Sequence, residues 1–426
     1  MVQLKDDCFA SGEALLPLSD ALNDIHDRVS VVVDTIDCEI DDCLGRVLAE
    51  DIVATRNVPP HDNSAVDGYA LYHDDLNPDT ETRLPFTGRI AAGHPLGRPA
   101  IRGEALQIFT GAPMPLGPDG TQASGPDTIF MKEDVEIDGD FVTLPHGQKQ
   151  GANRRFAGED IKDGDTILKT GMRLRAQELG LAASVGRATL KVYKPLHVAV
   201  FSTGDEVRDP SGDAPEGCIF DSNRFSIKGM LRALGCDVTD LGILPDDFDT
   251  IEKALGDAAG NHDLLVTSGG VSVGEEDHVK AAVETQGSLH MWRLAIKPGR
   301  PIALGQVKGT AFVGLPGNPV AAMVTFLTIA RSMVLWISGA DHEQAPRYTV
   351  KAGFDHPKKT GRREWVRTRL GVDGNGELTA FRDHAGGAGV LTSMVGADGL
   401  VELDEDSEGA REGAAVSFLP FSEVMR

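Results

Sequence analysis

Residues able to do chemistry concentrate between positions 263 and 301. There the apolar run Leu264-Leu265-Val266 opens into Thr267-Ser268-Gly269-Gly270. A loop closed by Gly274 then carries Glu275, Glu276 and Asp277, and a second apolar run, 294–296, leads to Lys297-Pro298-Gly299-Arg300-Pro301. Glycine backbone approaches a ligand closely, and loop amides with Lys and Arg suit a phosphate or an oxyanion, while carboxylates suit a divalent cation. The stretch therefore predicts an anionic ligand handled together with a metal. It is the strongest signal in the chain, because glycine loop, acid and lysine converge in it.

Four weaker clusters accompany it. Asp62-Asn63-Ser64-Ala65-Val66-Asp67-Gly68-Tyr69-Ala70 could hold a cation or orient a substrate, yet spacing alone favours a turn in which Asp62 and Ser64 bond their own backbone. Asn153-Arg154-Arg155 ahead of Gly158-Glu159-Asp160 would suit phosphate capture beside a metal-binding carboxylate; in isolation a surface salt-bridge cluster is the commoner outcome. Ser202-Thr203-Gly204-Asp205-Glu206 with Asp221-Ser222-Asn223, and separately Pro245-Asp246-Asp247, place acids at strand ends, where acids often only cap the next helix. Several at one sheet edge are harder to explain that way, since crowded like charges cost free energy unless a cation offsets them. The histidines form no His-x-x-x-His or HExxH pair, and neither a Gly-x-Ser-x-Gly elbow nor a Walker loop occurs. Zinc and serine-hydrolase chemistry are not indicated.

These groups must be positioned by regular elements. Residues 19–29 read as a helix capped by Ser19 or Asp20, and residues 49–53 as a strand. Short β-like runs at 84–86, 106–109, 128–133 and 141–144, punctuated by Pro and Gly, predict a small β domain inserted at 54–152. Residues 1–53 and 153–190 are the segments it is inserted between, the second with a short helix closing at Gly186. From 191 to 340 strand and helix alternate, which predicts an open, mostly parallel α/β sheet binding ligands beyond the carboxyl ends of its strands. The loops 202–206, 245–247, 268–277 and 316–318 all fall at that edge, and a long helix begins at Asn318-Pro319. Residues 341–426 hold short alternating strands split by glycine turns, which predicts a small C-terminal β-barrel or sandwich.

Composition narrows the setting. A chain of 426 residues is too long for one ordinary core. Its formal net charge of −24 argues against a nucleic-acid partner, and an anionic ligand must be caught by a few placed cations against an unfavourable overall field. That raises the interest of Lys297 and Arg300. The five cysteines are odd in number and lack a Cys-x-x-Cys, so free thiols in a reducing compartment are expected. The N-terminus lacks a signal-peptide layout, and the most apolar run, 320–337, is interrupted by Thr325, Thr328, Arg331 and Ser332, so no membrane span is expected and the location reads as cytoplasmic.

Seven motifs in order resemble the molybdopterin molybdenumtransferase family (MoeA-type), whose eukaryotic relative is the C-terminal domain of gephyrin. They are DNSAVDGYA (62–70), GEDI (158–161), FSTGDEV (201–207), LPDD (244–247), TSGGVSVGEEDHV (267–279), LAIKPGRP (294–301) and LPGNPVAA (315–322). With the terminal β domain, the resemblance covers nearly the whole chain. It implies insertion of molybdenum from molybdate into adenylylated molybdopterin, with release of AMP and dependence on Mg2+. It also implies an α/β domain similar to molybdopterin adenylyltransferase and a homodimer whose active site lies between subunits. Molybdopterin adenylyltransferase and molybdoenzyme maturation factors are the protein partners it implies.

Carried over by motif position, the family's functional acids fall on Asp67, Asp160, Glu206, Asp246 and Asp277, and its cations on Arg155 and Lys297. A family lysine four residues before Lys297 falls on Arg293, which keeps the charge but not the compact ammonium. Ser393, in the stretch 385–394, matches a C-terminal family loop that reaches the partner subunit's site. Glu206 and Asp277 are expected on the metal and adenylate side, Lys297 and Arg300 at phosphate and oxyanion, and Asp67 and Asp160 on the molybdate side. Thr203, Gly204, Ser268, Gly269, Gly270, Pro316 and Asn318 complete the expected binding edge. A tungstate-inserting relative and a non-catalytic dimeric scaffold are the alternatives; intact acids at all five motif positions argue against the scaffold.

Overall fold

The computed structural model of the chain describes residues 15–270, 278–299, 301–341, 344–382 and 387–425. It resolves into two compact units, one comprising Met1–Glu50, Thr170–Arg175 and Leu190–Arg426, the other Asp51–Lys169 and Ala176–Thr189.

The first unit opens with a helix, α1 (Leu18–Arg28), which buries Leu18, Ala21 and Ile25. Pro17 occupies the cap position and no side chain caps the helix, so Ser19 and Asp20 lie in its first turn instead of ahead of it. The α/β domain runs β1 (His197–Thr203), α2 (Asn223–Ala233), β2 (Asp237–Leu244), α3 (Phe248–Ala259), β3 (Leu264–Ser268), α4 (His278–Gln286) and β4 (Gly287–Arg293). A two-residue strand, β5 (Ile296–Lys297), precedes β6 (Pro301–Val307) and β7 (Thr310–Leu315), and helix α5 (Pro319–Thr325) continues through a π turn into α6 (Arg331–Ile337).

The sheet order is β2-β1-β3-β7-β6-β4. The first four strands are mutually parallel, while β6 runs antiparallel to both β7 and β4. The sheet is thus mixed, parallel where the ligand edge lies. Alternation along the strands explains why they are apolar throughout. Val198, Val200, Leu264 and Val266 pack with Ile227 and Leu231 of α2 on one face, whereas Ala199, Phe201, Leu265 and Phe312 pack with Ile251, Leu255, Val279 and Val283 on the other. The segment Pro319–Ile337 is long and apolar enough to cross a membrane by length and composition, but 78% of its most apolar window is buried in the protein. Packing in this core, more than its interrupting polar residues, accounts for it.

The barrel follows as β8 (Tyr348–Ala352), β9 (Arg363–Val372), β10 (Leu378–Phe381), β11 (Gly399–Leu403) and β12 (Ala415–Pro420). Its strands close in the ring β9-β10-β8-β12-β11-β9, leaving no free edge except where β5 adds to β9. The short alternating runs expected after residue 340 are these strands, and they close as a barrel. The lysine turn differs from the sequence reading: β5 does not end a strand of the α/β sheet but pairs with the barrel, Ile296 opposite Arg363 and Lys297 opposite Glu364.

The second unit is built on a six-stranded sheet ordered Thr128–Met131, Gly68–Leu71, Ala105–Ile108, Thr82–Ile90, Phe141–Leu144 and Glu136–Asp138. Its buried residues include Ala70, Ile90, Leu106, Ile108 and Ile129 on one side, and Tyr69, Leu71, Phe130 and Val142 on the other. A helix, Ala176–Ser184, ends near Gly186, whose φ of +84° matches the glycine stop read from sequence.

Candidate active site

Two loops meet at the carboxyl edge of the sheet. Gly269 N–H donates to Leu315 O at 3.1 Å, and Ser268 Oγ donates to Pro316 O at 3.1 Å, so β3 and β7 deliver their loops side by side. Asn223, at the start of α2, reinforces this: its Nδ2 donates to Ser268 Oγ and to Gly317 O, each at 2.7 Å. Gly270 has φ +65°, and a Cβ there would come within 2.7 Å of Thr203 Oγ1, so only glycine lets the β1 and β3 loops approach this closely.

From this edge, across to the barrel, extends a cleft of about 1140 Å3. Gly269, Gly270, Pro316, Gly317 and Asn318 line one side; the lysine turn supplies Arg293, Lys297, Pro298 and Gly299. The barrel adds His356, Arg362, Glu364, Arg367, Arg369 and Arg382, and Ser393 lines the same cleft. Among the described lining residues, six guanidinium or ammonium groups (Arg293, Lys297, Arg362, Arg367, Arg369, Arg382) face one carboxylate, Glu364. On a chain with net charge −24, that local excess focuses an anion into the cleft.

The cations are not equivalent. Burial, reinforced by Arg382, pushes the Arg367 guanidinium below its ordinary value, whereas Lys297 and Arg293 are exposed. Burial raises the Glu364 carboxyl, but hydrogen bonds from His356 and Lys297 outweigh it and hold the group below the usual glutamate value. Ser393 is buried and its Oγ donates to Val390 O at 2.5 Å.

Other expected residues lie elsewhere on the units. Glu206 is exposed beyond β1; its carboxylate folds back over Gly204, where a Cβ would lie 2.7 Å from Oε2. Of the pair Asp246-Asp247, Asp247 caps α3, its Oδ2 accepting from Thr250 N–H at 2.9 Å, and Asp246 is left exposed. Asp277 and Arg300 lie outside the described residues. Carboxylate oxygen suits a hard divalent cation. Among the described residues, however, no three Asp, Glu, His or Cys side chains converge as a metal-binding group.

In the second unit, Asp67 follows the strand Asn63–Ser64, which pairs with Arg154–Arg155. The Thr110 amide and hydroxyl, at 2.9 and 2.8 Å from Oδ1, hold the Asp67 carboxyl below its ordinary value, with Lys132 Nζ 3.8 Å from Oδ2. Asp62 accepts from Ala157 N–H at 2.7 Å and lies 3.5 Å from Arg154 Nε, so its carboxylate ties the two motif loops together, while the bond within its own turn comes from Ser64, whose Oγ donates to Val66 O at 2.5 Å. Arg155 and Asp160 are exposed.

Sequence reasoning missed the barrel cations, and it grouped Asn223 with Asp221 and Ser222 at a strand end without its role as a tie between two loops. A signal was present for two of the cations: Arg367 and Arg369 are two apart in an alternating strand and so share its face.

A glycine cradle at the carboxyl edge of an α/β sheet, joined to a small barrel by a cation-lined cleft, defines an enzyme built for an anionic small molecule. Residues 16–186 match the family described as MoeA N-terminal region (domain I and II), residues 199–335 the probable molybdopterin binding domain, and residues 349–421 the MoeA C-terminal region (domain IV). A molybdopterin molybdenumtransferase of Haemophilus influenzae is 34% identical over 413 residues, 96% of this chain and 100% of that one. Molybdopterin molybdenumtransferase 2 of Mycobacterium tuberculosis is 31% identical over 380 residues, 85% and 89% of the two chains. The crystal structure of the molybdopterin biosynthesis moeA protein from Pyrococcus horikoshii superposes with a TM-score of 0.80 at 27% identity, covering 95% of this chain and 100% of that one. The chain belongs to the molybdopterin molybdenumtransferase family: it is a transferase of molybdenum cofactor biosynthesis.

Proposed function

We propose that the protein inserts molybdenum from molybdate into adenylylated molybdopterin, releasing AMP and leaving molybdenum on the dithiolene. The observation that carries this reading is the cleft, where six cationic groups beside a glycine cradle answer both a phosphate-linked substrate and a tetrahedral oxyanion. Cleaving the adenylyl–phosphate bond throws negative charge onto the departing phosphate oxygens. Lys297, at the cleft wall, and the barrel arginines offset that charge without reorganising, while the amides of the 268–270 loop hold the phosphate in place.

We assign Glu206 and Asp277 to a magnesium ion, which when bound supplies further positive charge at the phosphate. Asp67, Arg155 and Asp160 are assigned to the molybdate side, and Asp246, Thr203, Gly204, Arg293, Arg300 and Ser393 to the substrate edge. A homodimer that completes each site from its partner, in the cytoplasm, belongs to the same reading and is supported by the family relationship. We divide the chain into a linking domain (1–53 and 153–190), an inserted β domain (54–152), an α/β domain (191–340) and a barrel (341–426).

The test is AMP release from adenylylated molybdopterin in EDTA-treated protein with magnesium restored, with and without molybdate, in wild type and Asp277→Ala. Release that needs molybdate and is lost in the variant supports the reading. Release that ignores molybdate points to hydrolysis on the same fold, and tungstate serving better than molybdate points to the tungstate-inserting relative.

A further inference from the structure

Glu364 is the one carboxylate among the described residues lining the cleft, and in a cleft built to hold anions it repels the ligand. Its surroundings give it a different role. Strand pairing sets Lys297 directly opposite Glu364, and Lys297 Nζ lies 3.2 Å from both carboxylate oxygens. The Lys297 side chain is 55% exposed and that of Glu364 only 5%. An exposed ammonium on a four-carbon stem samples many rotamers, whereas a buried carboxylate gives it one fixed anchor.

The anchor is itself held. His356 Nε2 lies 3.0 Å from Glu364 Oε2, and Arg382 Nη1 lies 3.0 Å from His356 Nδ1. A guanidinium can only donate, so Nδ1 accepts and the ring proton sits on Nε2, where it is donated to Glu364. Every donor and acceptor role in the chain Arg382, His356, Glu364, Lys297 is therefore determined. Sequence separation makes this long-range: Lys297 and Glu364 are 67 residues apart.

We propose that Glu364, fixed by His356 and Arg382, is the positioning residue that aims the Lys297 ammonium into the cleft. This rests on the reading of Lys297 as the group that offsets charge on the departing phosphate. Glu364 touches neither substrate nor reacting bond; it acts through Lys297.

The test uses Glu364→Gln, which keeps the shape and removes the charge, in the full-length protein. Coulomb attraction alone predicts that losing the carboxylate tightens anion binding and leaves turnover alone. Positioning predicts a kcat for molybdate-dependent AMP release lower by about 10- to 100-fold, with KM for molybdate unchanged or reduced, since a 1 Å misplacement of such a group costs on that order. The fall must vanish when Lys297 is already Met: Glu364→Gln in a Lys297→Met background then changes kcat less than about twofold. His356→Phe, which leaves the Lys297–Glu364 pair in place but frees the carboxylate, lowers kcat by less than Glu364→Gln does, and it serves as the decisive variant should Glu364→Gln fold poorly.

A second readout does not depend on the reaction. Acylation of Lys297 by a water-soluble amine reagent, mapped by mass spectrometry, is several-fold faster in Glu364→Gln, or in His356→Phe, than in wild type, because an ion-paired amine is a poorer nucleophile. Unchanged kcat, or an equal fall in the Lys297→Met background, overturns the proposal. If wild type releases no AMP at all, the functional reading has failed, and the acylation rate alone decides whether Glu364 holds Lys297: faster in the variant supports it, equal rates overturn it.

Discussion

Asn223 donates one side-chain amide to two loops at once, to Ser268 Oγ and to the Gly317 carbonyl, each at 2.7 Å. The residue that opens α2 thereby ties the end of β3 to the turn before α5, and the spacing of the glycine cradle depends on a side chain from a third element. Asn223→Ala leaves both acceptors without that donor. It is expected to lower stability by about 1 kcal/mol, the net worth of such bonds, and to lower kcat/KM for molybdate-dependent AMP release about tenfold. Thermal unfolding and steady-state assays check the two effects separately.

The barrel arginines make a prediction about binding as well as turnover. Arg367 is partly buried beside Arg382, on the strand face it shares with Arg363 and Arg369. Arg367→Gln is expected to raise KM for molybdate about tenfold, since hydrogen bonds to charged groups contribute about 1.5–3 kcal/mol. In the variant, the salt dependence of KM falls as well, because fewer cations contribute to the field. Titrations at two ionic strengths measure both.

Acid stability reports on a network outside the site. Arg224 is buried and bonds Asp209, Asp221 and Asp240, while Lys228 also pairs with Asp240. Burial raises the Asp240 carboxyl, but Lys228 and Arg224 outweigh it and bring it down to about 2. A carboxyl lowered in the folded state stabilises the protein fully above its unfolded value near ~4, and the contribution fades as pH falls toward the folded value. Asp240→Asn is thus expected to cost about 2 kcal/mol at pH 7, the same at pH 5, and progressively less between about pH 4 and pH 2. Urea unfolding across that range is the measurement.

Thiol reactivity follows burial. Burial pushes the Cys43 and Cys236 thiols up to about 12, while Cys38 and Cys218 are only half-buried. At pH 8, iodoacetamide should modify Cys38 and Cys218 well before Cys43 and Cys236, as peptide mapping of the native protein would show.

Much of this architecture could be read from local pattern. The alternating runs at 348–352, 363–372, 378–381, 399–403 and 415–420 are the barrel strands, and the strand–helix alternation after 196 is the α/β sheet. Local pattern could not reveal partners brought together by long-range pairing. The place of Arg367 and Arg382 in the cleft emerges only once the barrel is folded, and Glu364 matters only because the register puts it opposite Lys297. Caps misled in the other direction. Asp246 and Asp247 look alike in sequence, but the Thr250 amide engages Asp247 and leaves Asp246 exposed. Asn223 was legible as a residue beside a helix cap, not as a tie between two loops 45 and 94 positions away.

The central claim is that the cleft couples cleavage of the adenylyl bond to molybdenum transfer. A single-turnover reaction of adenylylated molybdopterin with magnesium and molybdate, counting AMP and pterin-bound molybdenum in the same sample, tests it most directly in wild type and Lys297→Met. One AMP for each molybdenum atom transferred, no AMP without molybdate, and a fall of about 100-fold, still measurable, in the rate of both products in the variant are the expected results. AMP formed at the wild-type rate in Lys297→Met, or formed without any molybdenum on the pterin, would contradict it.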